Sequence, residues 1–195
     1  MNEMRLNEFY CLSHHFIPAE VELVVRPKLS WEEESAIVLG RVPPPERFTL
    51  QRRKGKRWAD DVFVDGGPRV VSERLVTLLD TCRFTGWLAR DAVIRDGKSE
   101  RRDYRVLLVT GRCGPILDEQ NPIVEIPAIS ATGPYVRQRR IGFLLDPTAW
   151  DGSDLVRPDE TGFVFVHERV RHALEAAGVS GVAFEKIMDV ERDVF

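Results

Sequence analysis

Two stretches of this 195-residue chain have the clearest pattern: residues 70–87 read VVSERLVTLLDTCRFTGW, and residues 165–182 read FVHERVRHALEAAGVSGV. They align at a constant offset of 95 residues. Each begins with two apolar residues, continues with apolar residues at helical spacing and leads into a β-rich run, so each predicts a strand, a helix and a strand. We interpret them as an internal repeat over 70–94 and 165–189. The identical residues that anchor the alignment are Glu73, Arg74 and Gly86 in the first module and Glu168, Arg169 and Gly181 in the second.

The predicted helix of each module has a start signal. Ser72 is a residue type that caps helix N-termini well, whereas His167 is a poorer cap. Glu73 and Glu168 follow in the first turn, where a carboxylate interacts favourably with the helix dipole. The two modules are therefore expected to begin their helices at equivalent positions.

Short β-rich runs elsewhere make the chain richer in strand than in helix. The clearest is 104–110 (YRVLLVT), and the others are 9–12, 19–25, 62–64, 123–126, 141–145 and 162–166. A capping box at Ser30 and Glu33 predicts one more helix over 31–39, and Asp146 followed by Pro147 predicts a helical turn at 148–150. These patterns predict a strand-rich α+β fold that contains the two repeated strand-helix-strand modules.

The length and composition predict one compact soluble domain. The chain is 43% hydrophobic and 30% charged, which excludes intrinsic disorder as its main character. We expect residues 1–57, a strand and helix segment with a basic loop, to pack on a main α+β domain of residues 58–195. The formal net charge is −3, which argues against a surface devoted to phosphate binding.

The three cysteines, Cys11, Cys82 and Cys113, lie far apart and form no CxxC motif, so neither a disulfide scaffold nor a zinc ribbon is predicted. No apolar stretch approaches the roughly 20 residues needed to cross a bilayer, and residues 1–16 lack the apolar run of a signal peptide. We therefore expect a cytoplasmic protein without membrane contact. The glycine motifs that bind nucleotides are missing, so no cofactor is expected.

Two groups of histidines could suggest catalysis or metal binding. Cys11, His14 and His15 could supply metal ligands, or a nucleophile and a base, but no second cluster completes a four-ligand site. His167 and His172 are five residues apart, whereas the zinc-protease motif needs histidines four apart on one helix face. We therefore expect no metal and no catalytic residues, and we keep as an alternative a small enzyme whose active site is assembled from scattered residues such as Cys11, His14 and acids.

A basic segment is the candidate partner-binding surface. Residues 51–58 read QRRKGKRW, contain no acid and predict a loop or hairpin tip. Their positive charge opposes the net charge of the chain, and a tryptophan beside arginines is typical of interface anchors. A nucleic-acid-binding module that uses this loop is a further alternative. The candidate partner-binding residues are Arg52, Arg53, Lys54, Lys56, Arg57 and Trp58, and a second basic cluster comprises Arg137, Arg139 and Arg140.

Several segments resemble a family of bacterial immunity proteins from polymorphic toxin systems. The two modules carry the resemblance, and residues 162–187 are the most similar stretch. Residues 103–109 (DYRVLLV), 143–147 (FLLDP) and 155–157 (LVR) are similar to further segments of that family. The resemblance covers roughly residues 58–188, with only loose similarity before them. His167 and the pair Arg157-Pro158 depart from the family pattern.

The resemblance implies a non-enzymatic α+β antidote used in bacterial competition. Such a protein binds and neutralises a cognate secreted toxin, and so protects the producing cell and its siblings. The resemblance implies a toxin as the protein partner, with no catalytic residues and no cofactor, and nucleic acid is not expected as a partner. The sequence leaves open the chemistry of the toxin, the surface that binds it and the oligomeric state.

Overall fold

A computed structural model describes residues 4–39, 41–65, 67–127 and 136–193. Within these ranges the chain forms fifteen strands and three α-helices, so the predicted strand-rich α+β class is confirmed. None of the described helices is long and apolar enough to cross a membrane. The helices are α1 (Trp31–Val38), α2 (Glu73–Thr81) and α3 (Glu168–Ala176). The strands are β1 (Phe9–His14), β2 (Glu22–Val25), β3 (Arg47–Lys54), β4 (Asp61–Val64), β5 (Arg69–Ser72), β6 (Trp87–Asp96), β7 (Ser99–Arg101), β8 (Tyr104–Val109), β9 (Gly111–Arg112), β10 (Ile123–Pro127), β11 (Val136–Ile141), β12 (Leu155–Arg157), β13 (Phe165–His167), β14 (Val182–Lys186) and β15 (Glu191–Asp193).

A seven-stranded sheet closes on itself around the first core. Its order is β3-β2-β4-β5-β8-β6-β7, and β3 also pairs in parallel with β6, which joins the two sides of the sheet. The core inside it includes the fully buried Leu23, Leu50, Val70, Ile94 and Val106. Strands β2 and β3 lie before residue 57 in the chain and pair with strands that follow it. The domain boundary placed at residue 57 stays a prediction.

A five-stranded sheet has the order β14-β1-β13-β12-β9, in which only β12 and β9 run parallel. Because successive side chains of a strand point to opposite faces, β1 contributes to two cores. Tyr10 and Leu12 pack with α2 and α3 in the second core, whereas Phe9 and Cys11 pack in the third core around Phe143. A three-stranded sheet, β10-β11-β15, is the third sheet of the described residues.

The two predicted modules share the geometry of their helix caps and of one glycine each. The helix caps Ser72 and His167 have φ and ψ of −65° and 153° and of −64° and 148°, and each side chain accepts a hydrogen bond from a backbone N–H of its first helical turn. Gly86 and Gly181 have φ of +85° and +83°. A Cβ atom would lie 2.1 Å from a backbone oxygen at Gly86 and 2.2 Å from one at Gly181, so both positions require glycine. The origin of the modules as a repeat stays a prediction.

Asp60 links the first module to the second. Its carboxylate accepts hydrogen bonds from the Ser72 hydroxyl at 2.7 Å and from Arg74 at 2.9 Å, both in the first module. It also accepts from the backbone N–H of Ser180, in the second module, at 3.0 Å. Burial alone would raise the pKa of Asp60, but these donors hold it below its ordinary value.

Asp154 also links the two modules through hydrogen bonds of its carboxylate. It pairs with Arg169, in the second module, and accepts hydrogen bonds from the backbone N–H of Thr85 at 2.8 Å and from its hydroxyl at 3.0 Å, in the first module. Burial again acts to raise the pKa of the carboxyl, and these donors again lower it overall. The two modules are thus held together by two aspartates that precede them in the chain, the half-buried Asp60 and the buried Asp154.

Features that depend on a few neighbouring residues, such as a capping box, were predicted more accurately than the ends of strands. Ser30 and Glu33 form the predicted capping box, with hydrogen bonds of 2.8 and 3.2 Å. The strand predicted over 141–145 is wrong, because β11 ends at Ile141 and Gly142 turns the chain with a φ of +77°. The predicted loop over 51–58 is wrong in its first half, because β3 continues to Lys54 through its pairing with β2 and β6. The strands predicted over 19–25 and 162–166 begin later, at Glu22 and Phe165.

Candidate functional site

The predicted basic segment lies close to acidic side chains. Arg52 is 2.8 Å from Asp96, and Glu22 is 3.0 Å from Arg53 and 2.7 Å from Lys54. Opposite charges at these distances cancel part of the local field, so this surface is less positive than its sequence suggests. Its role in partner binding stays a prediction.

The other half of the basic segment includes its tryptophan. Lys56 and Arg57 are exposed, and no described carboxylate pairs with either. Trp58 is half-buried, with its ring 5.2 Å from that of Tyr104 and the guanidinium of Arg101 stacked 4.2 Å from it. Trp58 therefore packs against the first core and anchors the segment there. Its contact with a partner stays a prediction.

The second basic cluster is also occupied by internal contacts. Arg139 pairs with Glu191 and lies 3.3 Å from Asp193, both on or beside β15. Arg140 donates to the backbone oxygen of Asp118. The side chain of Arg137 lies outside the described residues.

A pocket of about 560 Å³ lies where the closed sheet meets the five-stranded sheet. This volume is in the range of small-molecule and side-chain binding pockets. Its charged lining consists of Arg41, Arg69, Arg112, Arg157, His14 and Asp61. Its walls are mostly apolar and include Pro43, Pro44, Val62, Val64, Leu107 and Val109.

One end of the pocket has balanced charges, and we call it the balanced end: His14, Asp61 and Arg69, which line the pocket, and Glu20, which contacts His14 from outside the lining. Asp61 on β4 is 2% exposed and pairs with Arg69 on β5, which also donates to the backbone oxygen of Leu12 at 3.0 Å. The His14 ring lies 3.1 Å from Glu20 and 3.8 Å from Asp61. When His14 is protonated, two cations therefore face two carboxylates.

The carboxylates of the balanced end favour the protonated form of His14. Burial by itself lowers the pKa of this imidazole. The nearby Asp61 and Glu20 carboxylates act in the opposite direction and outweigh burial, so the pKa of His14 is raised above its ordinary value of 6.5. The charge of this end therefore depends on pH, and His14 stays protonated to a higher pH than a free imidazole does.

The other end of the pocket has unbalanced charges, and we call it the unbalanced end: Arg112 and Arg157. Arg157 is only 6% exposed, and its Nε has no hydrogen-bond acceptor among the described residues. The parallel pairing of β9 with β12 places Arg112 directly beside Arg157. Burial, together with the positive charge of Arg112, lowers the pKa of Arg157 to about 10. This end therefore combines a buried Arg157 with a half-buried Arg112, and the described residues supply no anion at ion-pair distance from either.

The cysteine and histidine that the sequence offered for catalysis do not come together. Cys11 and His14 are three residues apart on β1, so their side chains point to opposite faces of the sheet. Burial raises the pKa of Cys11 to about 11 and that of Cys113 to about 12, which keeps both thiols protonated at neutral pH.

The histidines were also candidate ligands for a metal ion. Among the described residues, no three His, Cys, Asp or Glu side chains are arranged to hold a metal ion. His167 contacts Glu8 at 3.3 Å and caps α3, whereas His172 lies within that helix. The expectation that the protein contains no metal stays a prediction.

The comparison with known proteins agrees with the resemblance seen in the sequence. The sequence model of an immunity protein family, Imm11, matches residues 8–189. The chain belongs to the Imm11 immunity protein family. The match includes the N-terminal strands, which the resemblance covers only loosely. A search of the curated proteins found no match.

Sequence analysis did not find either end of the pocket in this Imm11 protein. The residues of the balanced end come from three separate segments, so their spacing in the sequence gives no signal. Arg157 offered a weak signal, because it directly continues the apolar pair Leu155-Val156 and precedes Pro158. A cation in such a run is expected to be buried more often than one in a polar loop.

Proposed function

We propose that this Imm11 protein is an antidote that binds one cognate secreted toxin in the cytoplasm and neutralises it without catalysis. The observation that carries the proposal is the family match over residues 8–189. An antidote of this kind needs a stable scaffold and a complementary surface, typically about 800 Å² on each partner. Neutralisation is then stoichiometric, because each bound toxin occupies one antidote.

The arrangement of reactive side chains supports binding rather than chemistry. The thiol of Cys11 is packed in the third core, on the face of β1 opposite His14. A nucleophile needs a base within hydrogen-bond reach, and His14 cannot fill that role for Cys11. The nucleic-acid alternative is also less favoured, since Arg52, Arg53 and Lys54 are paired with carboxylates.

The face around the pocket has the composition of a partner surface. Phe16 is 67% exposed, and its ring lies 4.8 Å from His14 and 5.0 Å from Phe63, which both line the pocket. Val42, 42% exposed, lines the pocket itself. Exposed apolar side chains grouped around a cavity are typical of interfaces. We therefore propose this face as part of the toxin-binding surface.

Co-expression tests the proposed function. The toxin domain encoded beside this gene is produced in a bacterial host with and without the chain. We expect the chain to restore growth and to co-purify with the toxin. Failure of both with a toxin that is active when produced alone would contradict the proposal.

A titration separates binding from catalysis. Purified toxin is mixed with increasing amounts of the chain, and residual toxin activity is measured after short and long incubation. A binder leaves an end point at a fixed molar ratio that does not move with time. An enzyme would neutralise an excess of toxin, and the end point would fall as incubation is prolonged.

A further inference from the structure

The unbalanced end of the pocket lacks a negative charge. A guanidinium has five donors and no acceptor, so it cannot satisfy itself or another arginine. Arg157 is more than nine-tenths buried, and no described carboxylate lies within ion-pair distance of it. A buried ion without a partner is strongly unfavourable. An anion supplied from outside the chain would remove this cost.

Arg112 adds a second guanidinium group to the unbalanced end. In a parallel pair, residues in register project side chains to the same face of the sheet, so Arg112 and Arg157 face the same space. Both line the pocket. The side chain of Arg112 also has no ion-pair partner among the described residues, since it is the backbone N–H of Arg112 that donates to Asp151, at 2.8 Å. Two guanidinium groups side by side are suited to hold one anionic group between them.

The charged residues elsewhere in the pocket do not compete for this role. Arg69 is paired with Asp61, and Arg41 is paired with Glu160. The surplus positive charge of the pocket is therefore confined to Arg112 and Arg157. Asp159 is the one acidic residue whose charge acts on Arg157 in the direction that favours the cation, and it is exposed.

We propose that the pocket binds a carboxylate carried on an apolar group, and that Arg157 and Arg112 bind the carboxylate. The apolar walls, among them Val62, Val64 and Val109, are suited to the hydrocarbon part of the ligand. A carboxylate fits better than a phosphate, because burying a second negative charge against apolar walls costs more desolvation. The planar fork of arginine matches a carboxylate through two parallel hydrogen bonds.

In the cell, the ligand is an acidic side chain of the toxin with an apolar neighbour, a step that rests on the proposed function. A volume of about 560 Å³ admits one or two side chains but not a folded domain, so the toxin contributes a short segment. Phe16 and Val42 supply exposed apolar surface beside the pocket for the rest of that segment. A charge pair buried in this way is expected to slow dissociation of the complex.

The first experiment uses the isolated protein and needs no toxin. Octanoate is titrated into the full chain and followed by calorimetry and by thermal unfolding, with octanol, octylammonium and inorganic phosphate as comparison probes. We expect saturable binding of octanoate and a rise in the unfolding temperature that none of the other three probes matches. Equal effects of octanoate and octanol, or a larger effect of phosphate, would overturn the assignment.

Three variants locate the carboxylate. Arg157→Met and Arg112→Met each keep an unbranched side chain while removing the guanidinium. Arg90→Met is the matched control, because Arg90 lies on β6 outside the pocket and its Nε is likewise buried without an acceptor. We expect octanoate binding to weaken by about tenfold or more in the two pocket variants and to be unchanged in the control. If Arg157→Met does not fold, Arg112→Met gives the same test.

The second experiment repeats the comparison with the toxin. If the toxin binds the wild-type chain and Arg90→Met but binds both pocket variants at least about tenfold more weakly, and octanoate competes with it, the inference holds. If the pocket variants bind the toxin as the wild type does, the inference is wrong and the proposed function stands. If the wild-type chain does not bind the toxin, the proposed function fails, while octanoate still decides whether the pocket takes a carboxylate.

Discussion

The two ends of the pocket differ in whether the fold supplies a carboxylate for the arginine that they contain. Each contains an arginine from a strand next to an apolar core, Arg69 at the balanced end and Arg157 at the unbalanced end. Arg69 is paired with the buried Asp61, which in turn lies 3.8 Å from His14. Arg157 is more deeply buried than Arg69, yet the described residues give its guanidinium no carboxylate. The first end is complete within the fold, and the second is complete only with a ligand.

This difference shows how stability and function can be told apart within one cavity. Replacing a residue of the balanced end leaves a buried charge without its partner, so the fold loses stability. Replacing Arg157 removes a buried charge that has no partner, so the fold loses nothing and a binding site disappears. The same type of residue is therefore expected to give opposite results at the two ends.

The largest effect is expected for Asp61→Asn. The substitution keeps the size of the side chain but leaves Arg69 and His14 without their shared carboxylate. Breaking one partner of a buried ion pair typically costs about 3–5 kcal/mol, and we expect the free energy of unfolding to fall by about 3 kcal/mol. Urea denaturation of the purified variant measures this change.

A second substitution checks the cause of that loss. In the Asp61→Asn background, Arg69→Met removes the charge that was left without a partner. We expect part of the lost stability to return, because two matched apolar or neutral groups are tolerated better than one isolated ion. If the double variant is less stable than Asp61→Asn alone, Arg69 stabilises the fold through its bond to Leu12 rather than through Asp61.

The next effect has the opposite sign. Arg157→Met removes a guanidinium that is 6% exposed and keeps a flexible side chain to fill the space. We expect the free energy of unfolding to stay the same or rise by about 1 kcal/mol in the absence of any ligand. Urea denaturation of both proteins in a buffer free of organic acids gives the comparison. A loss of 2 kcal/mol or more (on the order of a typical core substitution) would mean that Arg157 is a structural residue.

The sequence predicted the parts of this fold that depend on neighbours along the chain. Short β-rich runs identified β1 and β8, and cap chemistry identified α1 and α2, because those signals act over a few residues. The end of β11 at Ile141 could not be predicted from the sequence, because it depends on a turn at Gly142 and on contacts with residues 188–190.

The pocket was hidden for the same physical reason. His14, Asp61 and Arg69 become one charge cluster only when β1, β4 and β5 meet, and a charged side chain in a sequence is taken by default as exposed. In the basic segment, by contrast, the sequence suggested a charged surface that the fold partly neutralises. Its five cations suggested a strong surface field, but Glu22 and Asp96, remote in sequence, are paired with three of them.

A smaller and pH-dependent effect is expected for His14. The pKa of its imidazole in the folded chain is raised above the ordinary value of 6.5 by Asp61 and Glu20 against the effect of burial. Its contribution to stability is therefore fully present below about pH 6.5, falls as pH rises, and is lost above the folded-state pKa. His14→Gln removes this contribution, so the difference in unfolding free energy between wild type and variant should shrink as pH rises.

Urea denaturation of both proteins between about pH 5.5 and 8.5 measures that difference. His172→Gln is the control, since His172 lies on α3 away from the balanced end. A difference that is constant over this range would show that the pKa of His14 is the same in the folded and the unfolded chain, and that the carboxylates of the balanced end do not raise it.

The smallest effect on stability is expected outside the pocket, in the basic segment. Lys56 and Arg57 are exposed and no described carboxylate pairs with either, in contrast to Arg52, Arg53 and Lys54. Replacing Lys56 and Arg57 with Ser should change the free energy of unfolding by no more than about 0.5 kcal/mol, as is usual for exposed positions.

If the segment faces the toxin, the double variant should associate more slowly and with a weaker dependence on salt, because rim charges act mainly on the encounter rate. Stopped-flow association at two salt concentrations separates this from the pocket, where Arg157→Met should raise the dissociation rate and leave association nearly unchanged. Unaltered association of the Lys56 and Arg57 variant would assign the toxin contact to the pocket face and away from the basic segment.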